Sequence, residues 1–164
     1  QHYIKEADLS RLVENLKPRL EARGASFEDA PELGMVVDMM RDRVQTLEEM
    51  ADKSMYLFKS EIEFDEGAAK KHLRPVAMEL MQAAKHAFTE LSDWSTESIG
   101  SAIENILAQH EVKIVKLAQP LRVAVSGAAA TPSIDITLAC VGQARTLARI
   151  DNAIDFIQAR IDAG

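Results

Sequence analysis

The sequence predicts an all-α protein in two helical subdomains, and three observations carry that expectation. Apolar residues make up 47% of the chain but aromatic residues only 5%, so alanine, leucine, isoleucine and methionine supply the core. These residue types suit helix packing better than a pleated surface. Apolar positions recur at three- and four-residue spacing along most of the chain, the period of one helix face. The only β-branched clusters, MVVDM and RVAVSG, have no partner strand. With 164 residues the chain can build one or two small domains, each with its own core.

In DLSRLVENLKPRLEARG, Leu9, Leu12, Val13, Leu16 and Leu20 form a helical stripe. Asp8 or Ser10 is the expected cap, Pro18 a kink or split, and Gly24 the stop. A second helix is expected from near Pro31, carrying Val36, Val37, Met39 and Met40. RDRVQTLEEMADKSMYLFK continues or restarts it with Leu47, Met50, Ser54 and Leu57 on one face, and EIEFDEG reads as a break. Val76, Leu80, Ala84 and Phe88 are in register for a helix from about Pro75 to Leu91. DWSTES is a helix start, with Ser95 or Thr96 as cap and Glu97 at the positive helix end. Ile99, Ile103, Ile106 and Leu107 follow it. QHEVK reads as a linker, giving subdomains over residues 1–110 and 111–164. Beyond it, Pro120 suits the first position of a helix stopped by Gly127. Thr131 and Pro132 open another through Val141, stopped by Gly142, and Ile150, Ile154, Ile157 and Ile161 mark a final helix.

Composition excludes several classes of function. No apolar run reaches the roughly 18–20 residues that span a bilayer. The single cysteine, Cys140, rules out an internal disulfide framework, fits a reducing cytoplasm, and in ITLACVG reads as packing rather than chemistry. His2, His72, His86 and His110 are scattered without metal-ligand spacing. There is no glycine-rich phosphate loop, nucleophile elbow or Cys/His pair, and the carboxylates follow helix surfaces. The net charge of −7 opposes a generic nucleic-acid coat. The charge is uneven, however: residues 1–110 balance at −8 and residues 111–164 at +1. An anionic partner would favour the C-terminal third and rest on a few placed cations.

The candidate binding residues lie there. Gln119-Pro120 and Thr131-Pro132 read as two helix starts whose N–H groups suit phosphates or the acceptor edges of unstacked bases. Arg122, read as lying in a first helical turn, is disfavoured by the dipole and would be relieved by an anion, by acceptor atoms, or simply by a nearby carboxylate.

The run KLAQPLRVAVSGAAATPSIDITLACVGQARTLARIDNAI resembles the C-terminal part of bacterial glutamyl-tRNA synthetases, a class I aminoacyl-tRNA synthetase family. RDRVQTLEEMADKSMYLF, DWSTESIGSAI and HYIKEADLSRLVENLKPRLEARG resemble further motifs of that family, in the same order, so the resemblance covers the whole chain. It implies an all-helical anticodon-binding cage in two subdomains, gripping the anticodon loop of tRNA(Glu). Carried over by motif, the anticodon-binding residues are Gln119, Arg122, Thr131, Pro132 and Ile134, with Arg43 reading the last anticodon base and Arg41 as its near neighbour. Ser126 and Ala128–Ala130 depart from the family's threonine and polar loop residues. The H-I-G-H-like and K-M-S-K-S-like signatures are absent and the start QHYIK looks cut, so a catalytically inert fragment is expected, without cofactor. ATP and Mg belong to the full-length ligase. The resemblance further implies a cytoplasmic monomer that binds tRNA and no membrane. A protein-interaction module without RNA contact is the competing expectation, fitted by acidic faces and stripes such as MVVDMM.

Overall fold

The computed structural model describes residues 8–28 and 30–164; His2 and Tyr3 lie outside them. Among the described residues there are nine α-helices and no strand, so the fold is all-α. Two compact units divide at Ser60/Glu61.

In the first unit, α1 (Leu9–Ala22) buries Leu12, Leu16 and Leu20, three turns of one face. Asp8 stands at its N-cap without a side-chain cap bond, and the helix continues through Pro18 rather than splitting there. Proline deletes one backbone hydrogen bond, and three leucines in the core outweigh that loss. Gly24 takes φ +83 just beyond its end. Next, α2 (Leu33–Met40) buries Val36, Val37 and Met40. The chain then breaks at residues 41–46 and restarts as α3 (Leu47–Ser54), where the Thr46 hydroxyl accepts the Glu49 N–H at 3.0 Å and the Glu49 carboxylate accepts the Gln45 N–H at 2.9 Å. The Thr46 hydroxyl caps the helix while Glu49 reaches back to the residue before the cap, and together they are why a new helix starts here. A 3-10 turn over Met55–Phe58 follows, with all four side chains buried.

In the second unit, residues 61–65 lead into α4 (Glu66–His72), a short helix the periodicity did not reveal. Asp65 caps it by accepting the Ala68 N–H at 2.9 Å. A 3-10 turn, Pro75–Ala77, precedes α5 (Met78–Thr89), which buries Leu80, Met81, Ala84 and Phe88. Val76, expected in that stripe, is 75% exposed, because it precedes the helix and does not share its phase. Ser95 caps α6 (Thr96–His110), accepting the Ser98 N–H at 3.1 Å. Then come α7 (Ile114–Ser126), α8 (Ile134–Val141) and α9 (Gln143–Ala163). Ile150 and Ile157 are buried on α9, Ile154 is half-buried, and Ile161 is exposed near the helix end.

The boundary expected at 110/111 falls inside this second unit. Glu111 takes a left-handed conformation (φ 52) and the Val112 N–H returns to the Leu107 carbonyl at 3.2 Å. QHEVK is therefore a tight turn closing α6, with no linker length in it. Helices α6 and α7 touch each other and both pack on α8.

Candidate nucleic-acid interface

α7 buries Leu117, Ala118, Leu121 and Val123–Val125. Its first residue is Ile114, so Pro120 lies in its interior and not at its start. The helix-initial N–H groups expected at Gln119-Pro120 are therefore absent, and Arg122 stands close to the helix's C-terminal end. The dipole argument lapses with this correction: Arg122 lies in neither the first nor the last turn of the helix, where the terminal partial charges act. Burial of Leu117 and Ala118 before the proline and of Leu121 and Val123–Val125 after it outweighs the hydrogen bond that proline deletes.

Gly127, at φ +85, ends α7; its N–H bonds the Val123 carbonyl at 2.8 Å, and its own carbonyl accepts the Asp65 N–H at 2.7 Å. A short loop returns the chain to α8, whose N-cap is Ser133. Thr131 is thus not the cap, and Pro132 lies two residues before the first helical one. Thr131 instead faces α7. Arg122 Nε donates to Thr131 Oγ1 at 3.1 Å, and Arg122 Nη1 donates to Gln119 Oε1 at 2.9 Å. The Thr131 hydroxyl donates to the Pro132 carbonyl at 2.9 Å, and Thr137 Oγ1 lies 3.3 Å from Thr131 Oγ1 and 3.1 Å from the Pro132 carbonyl. Arg122 and Gln119 are half-buried, while Thr131, Pro132 and Ile134 are buried. The Gln119 carboxamide and the Thr131 hydroxyl thereby set the orientation of the guanidinium plane.

The fold brings Gln119, Arg122, Thr131 and Pro132 together at one end of α7, with Ile134 opening α8 just beyond. Arg43 belongs to the other unit, in the exposed turn after α2, its N–H on the Met40 carbonyl at 2.9 Å. Arg41 directs Nη1 toward Asp38 at 3.7 Å, with a side chain only 19% exposed. Thr137 and Arg149 were not legible as parts of this site. Arg149, 3% exposed on α9, donates Nη1 to the Val125 carbonyl at 2.7 Å and so fixes the last turn of α7. Ser126 Oγ bonds the Arg122 carbonyl at 2.7 Å and accepts the Ala128 N–H at 3.1 Å, shaping the turn where its position departs from the family's threonine. Trp94 Nε1 donates to the Leu138 carbonyl at 3.0 Å, and its ring meets Phe88 edge-on, so it braces α8.

Cys140 is buried, and burial pushes its thiol up to about 11, which keeps it protonated and inert. Among the described residues no group of three His, Cys, Asp or Glu side chains could hold a metal ion, and no helix is long and apolar enough to cross a membrane.

The sequence places this all-helical chain within one family. Residues 11–154 match the family described as the anticodon binding domain, and the chain belongs to that family. Its fold is similar to part of a glutamate tRNA ligase from Elizabethkingia meningosepticum, with a TM-score of 0.83 and 23% identity over 95% of this chain and 31% of that one. It is also similar to the glutamate-tRNA synthetase of Elizabethkingia anophelis, with a TM-score of 0.75 and 22% identity over 94% and 30% of the respective chains. The chain thus spans about a third of the length of these proteins.

Proposed function

We propose that this chain is the anticodon-recognition region of a glutamyl-tRNA synthetase, and that Arg122, held by Gln119 and Thr131, contacts the anticodon bases of tRNA(Glu). The observation that carries this reading is the arginine in the C-terminal half of α7 whose plane is set by Gln119 and Thr131, in a chain of the anticodon-binding family. A half-buried guanidinium with its plane fixed can stack on an unstacked base or donate to its acceptor edge. Thr131, Pro132 and Ile134 shape the wall behind it. Arg43 reads the last anticodon base; its exposure in a turn, where the Arg41 side chain is only 19% exposed, supports that choice. The full-length parent attaches glutamate to tRNA with ATP and Mg supplied by its catalytic part. This chain is catalytically inert, binds no cofactor, and acts as a cytoplasmic monomer.

Two RNA hairpins test the reading, one with the anticodon CUC and one with CUG. CUC binds more tightly, Arg122→Ala weakens it roughly ten- to a hundred-fold, as loss of one arginine–base contact would, and Arg43→Gln removes the preference for CUC. Equal binding of both hairpins, unaffected by either substitution, overturns the assignment and favours the protein-interaction module.

A further inference from the structure

We propose that the exposed cations at the end of α4, Lys70, Lys71 and Arg74, form a second contact surface of this domain, fitted to the sugar-phosphate backbone of the RNA that Arg122 meets. The proposal rests on the anticodon reading and adds to it a site that reads charge and spacing but no sequence.

Charge is segregated along this segment. Glu61, Glu63, Asp65 and Glu66 lie on its N-terminal side, and Lys70, Lys71 and Arg74 on the other. Residues 70–74 are the only five-residue window of the chain with three Lys or Arg, in a protein of net charge −7. Cations in a last helical turn commonly serve the helix's own carbonyls. Here that role is filled by a different residue. Arg160 Nη1, reaching over from α9, donates to the carbonyls of Leu73 at 2.8 Å, Lys70 at 3.1 Å and Ala69 at 3.4 Å. Lys70, Lys71 and Arg74 are all exposed, and among the described residues none of them forms an ion pair, whereas Arg19, Arg23, Lys53 and Lys85 all do. Their field is felt locally: His72 is held below its ordinary range first by burial and then by Lys71 and Arg74.

The patch is also fixed relative to Arg122. α4 packs on α7 within one compact unit, and the Asp65 N–H bonds the carbonyl of Gly127, the residue that ends α7. Next to the cations, Val76 is 75% exposed and takes no part in the core. Three uncommitted positive charges beside an apolar side chain match a strand of phosphates and sugars.

Binding of the CUC and CUG hairpins is measured between 50 and 200 mM salt for the 164-residue chain and for the triple variant Lys70→Gln, Lys71→Gln, Arg74→Gln. A control variant, Lys17→Gln, Lys53→Gln, Lys59→Gln, carries the same loss of charge elsewhere. The α4 triple variant should weaken both hairpins equally, by about ten-fold or more, and flatten the slope of log K against log salt by about two, as three lost phosphate contacts require. The control should keep a slope near the wild type's. A wild-type slope in the α4 variant, or the same flattening in both triple variants, overturns the patch. If the wild type shows no preference for CUC while the α4 variant alone flattens the slope, the anticodon reading fails and the phosphate surface stands. A wild type that binds no RNA overturns both.

Discussion

Arg23 and Arg122 are both partly covered, and the bonds that orient them differ in kind. Arg23 Nε lies 2.7 Å from Asp52 and Nη2 lies 2.7 Å from Glu48, whose other oxygen takes Arg19 at the same distance. These pairs tie α1 to α3 across the surface of the first unit, and Glu48 and Asp52 are 61% and 67% exposed. The carboxylates, Glu48 first, hold the Arg23 guanidinium above its ordinary range, and Arg23 in turn is the main cause that holds Glu48 below its own. Charge meets charge, water screens both, and little is left for a ligand. Arg122 instead donates to a carboxamide and a hydroxyl. Those bonds fix the orientation of the plane through side chains that carry no charge of their own. The Arg23 cluster thus ties two helices together through exposed ion pairs, whereas the bonds from Arg122 to Gln119 and Thr131 align one guanidinium plane beside a buried hydroxyl.

The largest expected effect comes from moving the helix end that carries Arg122. At Gly127 a Cβ would collide with the Glu63 carbonyl oxygen, and φ is +85, a conformation L side chains rarely adopt. Both objections concern backbone, so no rotamer change relieves them. Gly127→Ala should lose roughly 3 kcal/mol in urea unfolding and weaken the CUC hairpin as well. A loss below about 1 kcal/mol would show that the 61–65 segment yields, and that the end of α7 is not held as described.

The hydroxyl that holds the guanidinium comes next. Thr131→Val keeps the shape and removes the acceptor of Arg122 Nε together with the donor to the Pro132 carbonyl. Leaving buried polar groups unpaired costs about 1–3 kcal/mol. The variant should lose that much stability and weaken the CUC hairpin, whereas Thr131→Ser should restore hairpin binding. Full hairpin affinity in Thr131→Val would mean that the plane of Arg122 is set elsewhere.

Much of this was legible in the sequence, and the failures share a cause. The stripes of α1, α5 and α9 and the stops at Gly24, Gly127 and Gly142 follow from local periodicity and local backbone preference, which sequence carries directly. Pro120 misled because proline marks helix starts only statistically, and the apolar positions on both sides of it outvote the prior. α4 was missed because seven residues give too little period to detect, although Asp65, Glu66 and the final Lys-Lys-His follow the charge order of a helix. The grouping of Arg122, Gln119 and Thr131 was anticipated by motif, but its hydrogen bonds were not. Arg149 acts on Val125, 24 positions away, and Thr137 on Thr131, 6 positions away across a loop, and no spacing rule encodes either meeting.

The smallest effect should come from Arg23, and its pH and salt dependence sharpen the contrast with Arg122. Glu48 titrates below its ordinary value in the folded chain, so its pairing adds stability above about pH 4.5 and loses that contribution as pH falls through the lower, folded value. Arg23→Gln should therefore reduce the urea midpoint slightly at pH 7 and low salt, and the difference from wild type should close as pH drops toward 3. Raising salt to 0.5 M should close it as well, because exposed pairs are screened. Thr131→Val should show neither dependence, since its lost bonds are buried and do not titrate at the hydroxyl. If both variants respond alike to salt and pH, then the Thr131 hydroxyl acts no differently from the exposed carboxylates around Arg23, and the contrast between the two arginines fails in this protein.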